Sequence, residues 1–160
     1  MDLGVATIGL TSVALFAMPF VLTSRSRKNK ERKLLASLQN LANTYEAKLT
    51  ENEIFGHYAI GVDQAKNFAF FILKIGEDIY QQFVDLSTIK TCEIATIGKS
   101  YGRKEKVIER LNLNLFPKDG SKPDIVFEFY NADINYQLSG EFQSIEKWNK
   151  LIKTMLANNS

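Results

Sequence analysis

Residues 107–116 read VIERLNLNLF, with Glu109, Leu111, Leu113 and Leu115 opposing Arg110, Asn112 and Asn114. A period of two sends successive side chains to opposite faces, so this segment is a strand with one apolar and one polar face. Downstream, Lys118-Asp119-Gly120-Ser121-Lys122-Pro123 is a turn, and Ile125–Tyr130 (IVFEFY) directs Ile125, Phe127 and Phe129 inward. Upstream, His57–Asp63 places Tyr58, Ile60 and Val62 on one face, with Ala59 and Gly61 on the other. Phe68–Lys74 (FAFFILK) is apolar on both faces, which marks a central or doubly covered strand. Ile79–Leu86 and Ile89–Ile97 follow, and Gly98–Lys106 (GKSYGRKEK) is expected as a polar, basic loop. Ile134, Tyr136 and Leu138 give a short seventh strand.

The period then changes. Phe142, Ile145, Trp148, Ile152 and Met155 recur at three and four, the spacing of one helix face. Ser139 is the expected N-cap, and Glu141 falls in the first turn, where the helix dipole favours a carboxylate. Six to seven antiparallel strands followed by one amphipathic helix make a mainly β, α+β chain, a sandwich or barrel closed by a C-terminal helix.

With that strand order, the segment VDLSTIKTCEI (Val84–Ile94) and the end EFQSIEKWNKLI (Glu141–Ile152) with Trp148 in the closing helix, the chain resembles uncharacterised bacterial membrane-anchored proteins with a pleckstrin-homology-like domain. The resemblance covers residues 54–157 and implies a binding fold rather than a catalytic one. Its lipid-binding members hold phosphoinositide headgroups with basic residues between the first two strands. Here that loop, Gln64–Asn67, offers Lys66 alone, so no such phosphate site carries over.

The N-terminal region reads differently. Leu3–Leu22 is a run of twenty residues without a charge. As a helix it would reach about 30 Å, the hydrocarbon thickness of a bilayer. Positive charge would precede the apolar core of a cleaved signal peptide, whereas Asp2 precedes this one and the basic cluster follows it. That cluster, SRSRKNKERK over residues 24–33, holds Arg25, Arg27, Lys28, Lys30, Arg32 and Lys33 against Glu31. The positive-inside bias therefore predicts an uncleaved single-pass anchor over residues 1–23, N-terminus outside, with the remainder in the cytoplasm at the inner membrane. Residues 24–53 are read as a basic flank and linker helix, Leu34–Leu49, and residues 54–160 as the β domain. Leu34, Leu38, Leu41 and Tyr45 form the helix's apolar stripe, which either packs on the domain or makes a parallel dimer seam.

Residues 34–160 hold 14 Lys+Arg against 16 Asp+Glu, a mildly acidic body that argues against nucleic-acid binding. The cationic groups placed to touch anionic lipid are Arg25, Arg27, Lys28, Lys30, Arg32 and Lys33, together with Lys99, Arg103 and Lys104. One cysteine, Cys92, and one histidine, His57, exclude disulfide frameworks and multi-Cys or multi-His metal sites. No nucleophile, phosphate-loop or metal motif surrounds them. The reading is a non-enzymatic, cofactor-free interaction module tethered to the bilayer and facing a protein partner. Its alternative is a structural subunit that self-associates through the anchor and linker helix.

Overall fold

A computed structural model of the chain describes residues 26–103, 105–135 and 137–159. The apolar run 3–22, Arg25 and Lys104 lie outside them. Helix α1 covers residues 26–44, so most of the basic cluster is helical and the helix ends earlier than the predicted Leu49. Its end is set by Glu46, which adopts a left-handed φ of 54°. Glu46 N–H then reaches the Asn43 carbonyl (3.0 Å) and Ala47 N–H the Ala42 carbonyl (2.9 Å), the paired bonds that satisfy the last helical carbonyls.

Four strands follow in one antiparallel sheet, in sequence order: β1 (Glu51–Phe55), β2 (Tyr58–Asp63), β3 (Phe68–Ile75) and β4 (Asp78–Asp85). A 3₁₀ turn at Leu86–Thr88 leads into a second antiparallel sheet, β5 (Ile89–Tyr101), β6 (Glu105–Pro117) and β7 (Ile125–Asn131). Helix α2 (Glu141–Asn158) ends the fold. The chain is thus mainly β, two antiparallel sheets with a C-terminal helix, as the period-two segments predicted.

Four expectations are corrected. The seventh strand is β1, not Ile134–Leu138, where the described residues form turns and bends. With β1 in place, the turn between the first two strands is Gly56-His57, and Lys66 lies in the next one. Gly98–Lys106 is not a loop, because β5 and β6 continue pairing through Tyr101 and Glu105. At the start of α2 the cap is Gly140; the Glu141 carboxylate instead turns back to accept from Ser139 N (2.7 Å) and Gly140 N (3.0 Å).

The core lies between the sheets. Tyr58, Ile60, Val62 and Phe71 meet Leu111, Leu113, Leu115, Phe127 and Phe129, with Phe71 stacked on Phe127 at 4.8 Å. Ile145, Trp148, Ile152 and Met155 from α2 complete it, while Phe142, expected in that stripe, remains exposed. Trp148 Nε1 donates to the Glu53 carboxylate, and Tyr58 Oη to Ser144 Oγ (2.7 Å), so β1 and β2 are both pinned to α2.

The outer face of the first sheet is also apolar, and α1 covers it. Leu34, Leu38 and Ala42 pack on Ala59, Phe70 and Ile72. Gly61 permits the approach, since a Cβ there would stand 2.8 Å from Leu49 Cδ2 and 3.2 Å from Leu38 Cδ2. Asp63 fastens the same junction, accepting from Lys48 N (2.8 Å), Ala65 N (3.0 Å) and Lys66 N (3.1 Å). Burial alone would raise the Asp63 pKa, but the three backbone donors outweigh it and hold the carboxyl below its ordinary range.

Two substitutions test this frame by urea denaturation. Trp148→Ala should cost about 3–5 kcal/mol, as for other buried aromatics. An unchanged midpoint would place the α2 stripe in solvent. Asp63→Ala, which leaves three amides without their acceptor, should cost about 1–3 kcal/mol and loosen α1 against the sheet.

Candidate functional site

The chemistry-bearing residues gather at one end of the sandwich. The β1–β2 turn at Gly56-His57 and the connection after β7 emerge there, beside the first described turns of α1. Together they line a cleft of about 480 Å³, bounded by Arg27, Glu31, His57, Asn135, Gln137 and Glu141. Arg27 and Glu31 fall one turn apart on the face that carries Leu34 and Leu38, and their side chains pair at 3.4 Å.

His57 lies at the floor of this end. Burial pulls its pKa below the ordinary value, against the Glu141 and Glu128 carboxylates and a hydrogen bond to the Phe129 backbone. Asn135 Nδ2 stands 3.1 Å from both ring nitrogens. A single amide group therefore faces the imidazole edge that carries both nitrogens. The Glu141 carboxylate opposite is engaged in capping α2. Both groups bond to the connection between β7 and α2. Among the described residues, no group of three His, Cys, Asp or Glu side chains is arranged to hold a metal ion.

Beside the cleft, β5 and β6 rise as a two-stranded arm. β7 pairs with β6 only over Arg110–Leu115, so the pairs Gly98↔Ile108, Lys99↔Val107, Ser100↔Lys106 and Tyr101↔Glu105 have no third strand. The arm departs at a register shift between Ile97 and Gly98. Glycine is required there, because a Cβ on Gly98 would fall 2.5 Å from the Val107 carbonyl oxygen. Gly102, at φ 73°, turns the tip. Lys99 Nζ bridges to Glu109 at 2.9 Å, and that pairing raises the lysine's pKa. Arg103 and Lys106 are exposed and have no carboxylate within ion-pair distance among the described residues.

Arm and cleft share an end through the β7–α2 connection. Asp133 pairs with Arg110 at 3.9 Å beside Lys99 and Glu109, while Ile134 and Asn135, next in sequence, line the cleft. The structure therefore brings the two basic clusters to one end: Arg27, Lys28, Lys30, Arg32 and Lys33 on α1, and Lys99 and Arg103 on the arm. All seven are exposed. Acidic groups are present there too, notably Glu77, Asp78 and Glu105. Sequence reading named both clusters as candidate contacts for anionic lipid, but nothing in a linear pattern shows that they stand at one end of the fold. It also missed Glu53, whose partners Trp148 and Lys147 lie more than ninety residues away. The lone thiol is placed as expected: Cys92 is buried, contacts Asn149 Oδ1 at 3.3 Å, and burial pushes its pKa up to about 11.

No family model matches the chain, and no curated protein or solved structure matches it significantly.

A depressed histidine pKa sets a pH dependence with a definite sign. The unfolded chain takes up its proton first, so stability is full above about pH 6.5 and falls as pH drops below it toward the folded value. Urea midpoints measured at about pH 7.5 and about pH 5.5 should show this loss, and His57→Gln should reduce it. An equal loss in both proteins would assign it to other groups.

Proposed function

We propose that the chain is a membrane-tethered, non-enzymatic interaction module. Residues 3–22 span the inner membrane with the N-terminus outside. The folded part, of the pleckstrin-homology-like kind implied by the resemblance, is presented in the cytoplasm to proteins or to the inner leaflet. The observation that carries this reading is the direction of α1. Its described part opens at residue 26, four positions after Leu22, and its basic turns stand at the same end of the sandwich as the basic arm. A bilayer entered from that side would meet both clusters at once, as the positive-inside bias favours. Among the described residues no helix is long and apolar enough to cross a membrane.

The second reading, a structural subunit dimerising through anchor and linker helix, is less well supported. Leu34 and Leu38, which would form the seam, are buried on the chain's own sheet. Self-association would then rest on residues 3–22 alone.

The test is topological. A C-terminal reporter active only in the cytoplasm should be active, and the mature chain should retain residues 3–22. Ile8→Arg with Val13→Asp should release the protein from membranes, at about 2.5–3.5 kcal/mol per charge on insertion scales. A reporter active only outside, or a chain shortened by the apolar run, would reverse the reading.

A further inference from the structure

We infer that the β5–β6 arm is a second membrane contact, which lies against an anionic leaflet and fixes the orientation of the domain. The inference rests on the tethered reading above, and adds to it a surface and the chemistry of its partner.

Three observations carry it. The first is the arm's isolation. A two-stranded ribbon is marginal in water by itself, and this one extends past β7 with residues 98–103 and 105–107 exposed. The second is its apolar surface. The exposed large apolar side chains among the described residues are Tyr45, Ile79, Tyr80, Ile97, Tyr101, Val107, Val126 and Phe142. Tyr101 and Val107 belong to the arm, and Ile97 stands at its base. Ile79 and Tyr80 follow the β3–β4 turn at the same end, where Lys74 N bonds the His57 carbonyl (2.8 Å). Exposed apolar groups are thus concentrated where the basic ones are. Tyrosine suits such a boundary, with an apolar ring and a polar tip that sit together at headgroup depth.

The third is charge. From residue 99 to residue 106 the arm carries Lys99, Arg103, Lys104 and Lys106 against Glu105. Lys99 is partly satisfied by Glu109, whereas Arg103 and Lys106 have no ion-pair partner among the described residues. Glu77 and Asp78 on the neighbouring turn oppose contact there and would keep that turn shallower than the arm. A combination of basic and interfacial aromatic residues on a projecting element fits an anionic headgroup layer better than a neutral protein surface.

The full chain, reconstituted into vesicles, tests this. Tyr101→Cys takes an environment-sensitive fluorophore, and Cys92, buried and weakly acidic, stays unlabelled. A control label goes at Ser121→Cys, in the exposed β6–β7 turn at the far end. In vesicles containing phosphatidylglycerol the Tyr101 label should shift to the blue and be quenched by headgroup-depth quenchers. It should behave as in water in pure phosphatidylcholine, and the Ser121 label should not respond in either. High salt, or Lys99→Glu with Arg103→Glu and Lys106→Glu, should abolish the shift, each lost cation weakening the contact about fivefold.

Flotation separates the two claims. A chain that floats with neutral vesicles through residues 3–22, yet keeps a water-like Tyr101 label on anionic ones, overturns the arm contact and leaves the tether standing. A chain that fails to float with neutral vesicles, but shows the charge-dependent shift on anionic ones, overturns the tether and supports the arm. A shift that appears only when a membrane protein is added would assign the arm to a protein partner and overturn the lipid contact.

Discussion

The structure depends on a sheet that is buried on both faces. Every residue of β2 is buried, and β3 sends Ala69 and Phe71 to one side and Phe70 and Ile72 to the other. Two apolar faces need two covers. The second sheet and α2 supply one, and the residues just after the basic cluster must supply the other. That requirement makes α1 part of the fold, aligns it through Gly61 and Asp63, and delivers Arg27 and Glu31 to the rim of the cleft. The position of the basic turns is therefore a consequence of core packing.

Much of this frame was legible in the residues. FAFFILK announced a central or doubly covered strand, and the Leu111, Leu113, Leu115 alternation gave an apolar face that the structure buries. Trp148 and its helical neighbours were legible for the same reason, since burial demands a regular period. β1 was not. Its sequence, ENEIF, lies at the edge of the sheet, with its first two residues exposed, so no alternation was imposed on it. Its role comes from Glu53, whose carboxylate meets Trp148 across the fold, and a pair so distant in sequence leaves no local trace. The arm was hidden by its composition. Two glycines and four cations look like a loop, and here they serve a bulge, a tight tip and an uncovered ribbon. The short strand expected at Ile134–Leu138 failed because Ile134, Asn135 and Gln137 instead line the cleft beside His57.

The same end concentrates the features that packing leaves unexplained. The far end is held by ordinary turn chemistry, as in Asp119, which accepts from Ser121 N (3.0 Å) and Ser121 Oγ (2.6 Å). The near end has a cleft, a projecting ribbon and uncompensated cations, none of which the core requires. Such asymmetry is expected of a domain whose scaffold is built for burial and whose contacts are made at one pole.

The docking of α1 also has a mechanical side. Nothing in α1 joins the β ladders; its hold on the sheet is Leu34, Leu38, Leu41 and Ala42, with Tyr45 stacked on Phe83 and the Lys48–Asp63 bond at its far end. Tension applied at the basic end would meet these side-chain contacts one after another, while the hydrogen bonds of the seven strands remain unloaded. α1 is thus the layer that peels first, as a separate unit of low local stability. Peeling would bare Phe70 and Ile72 and leave the core between the sheets closed. A pull on the chain would therefore be converted into an exposed apolar face before any strand is lost.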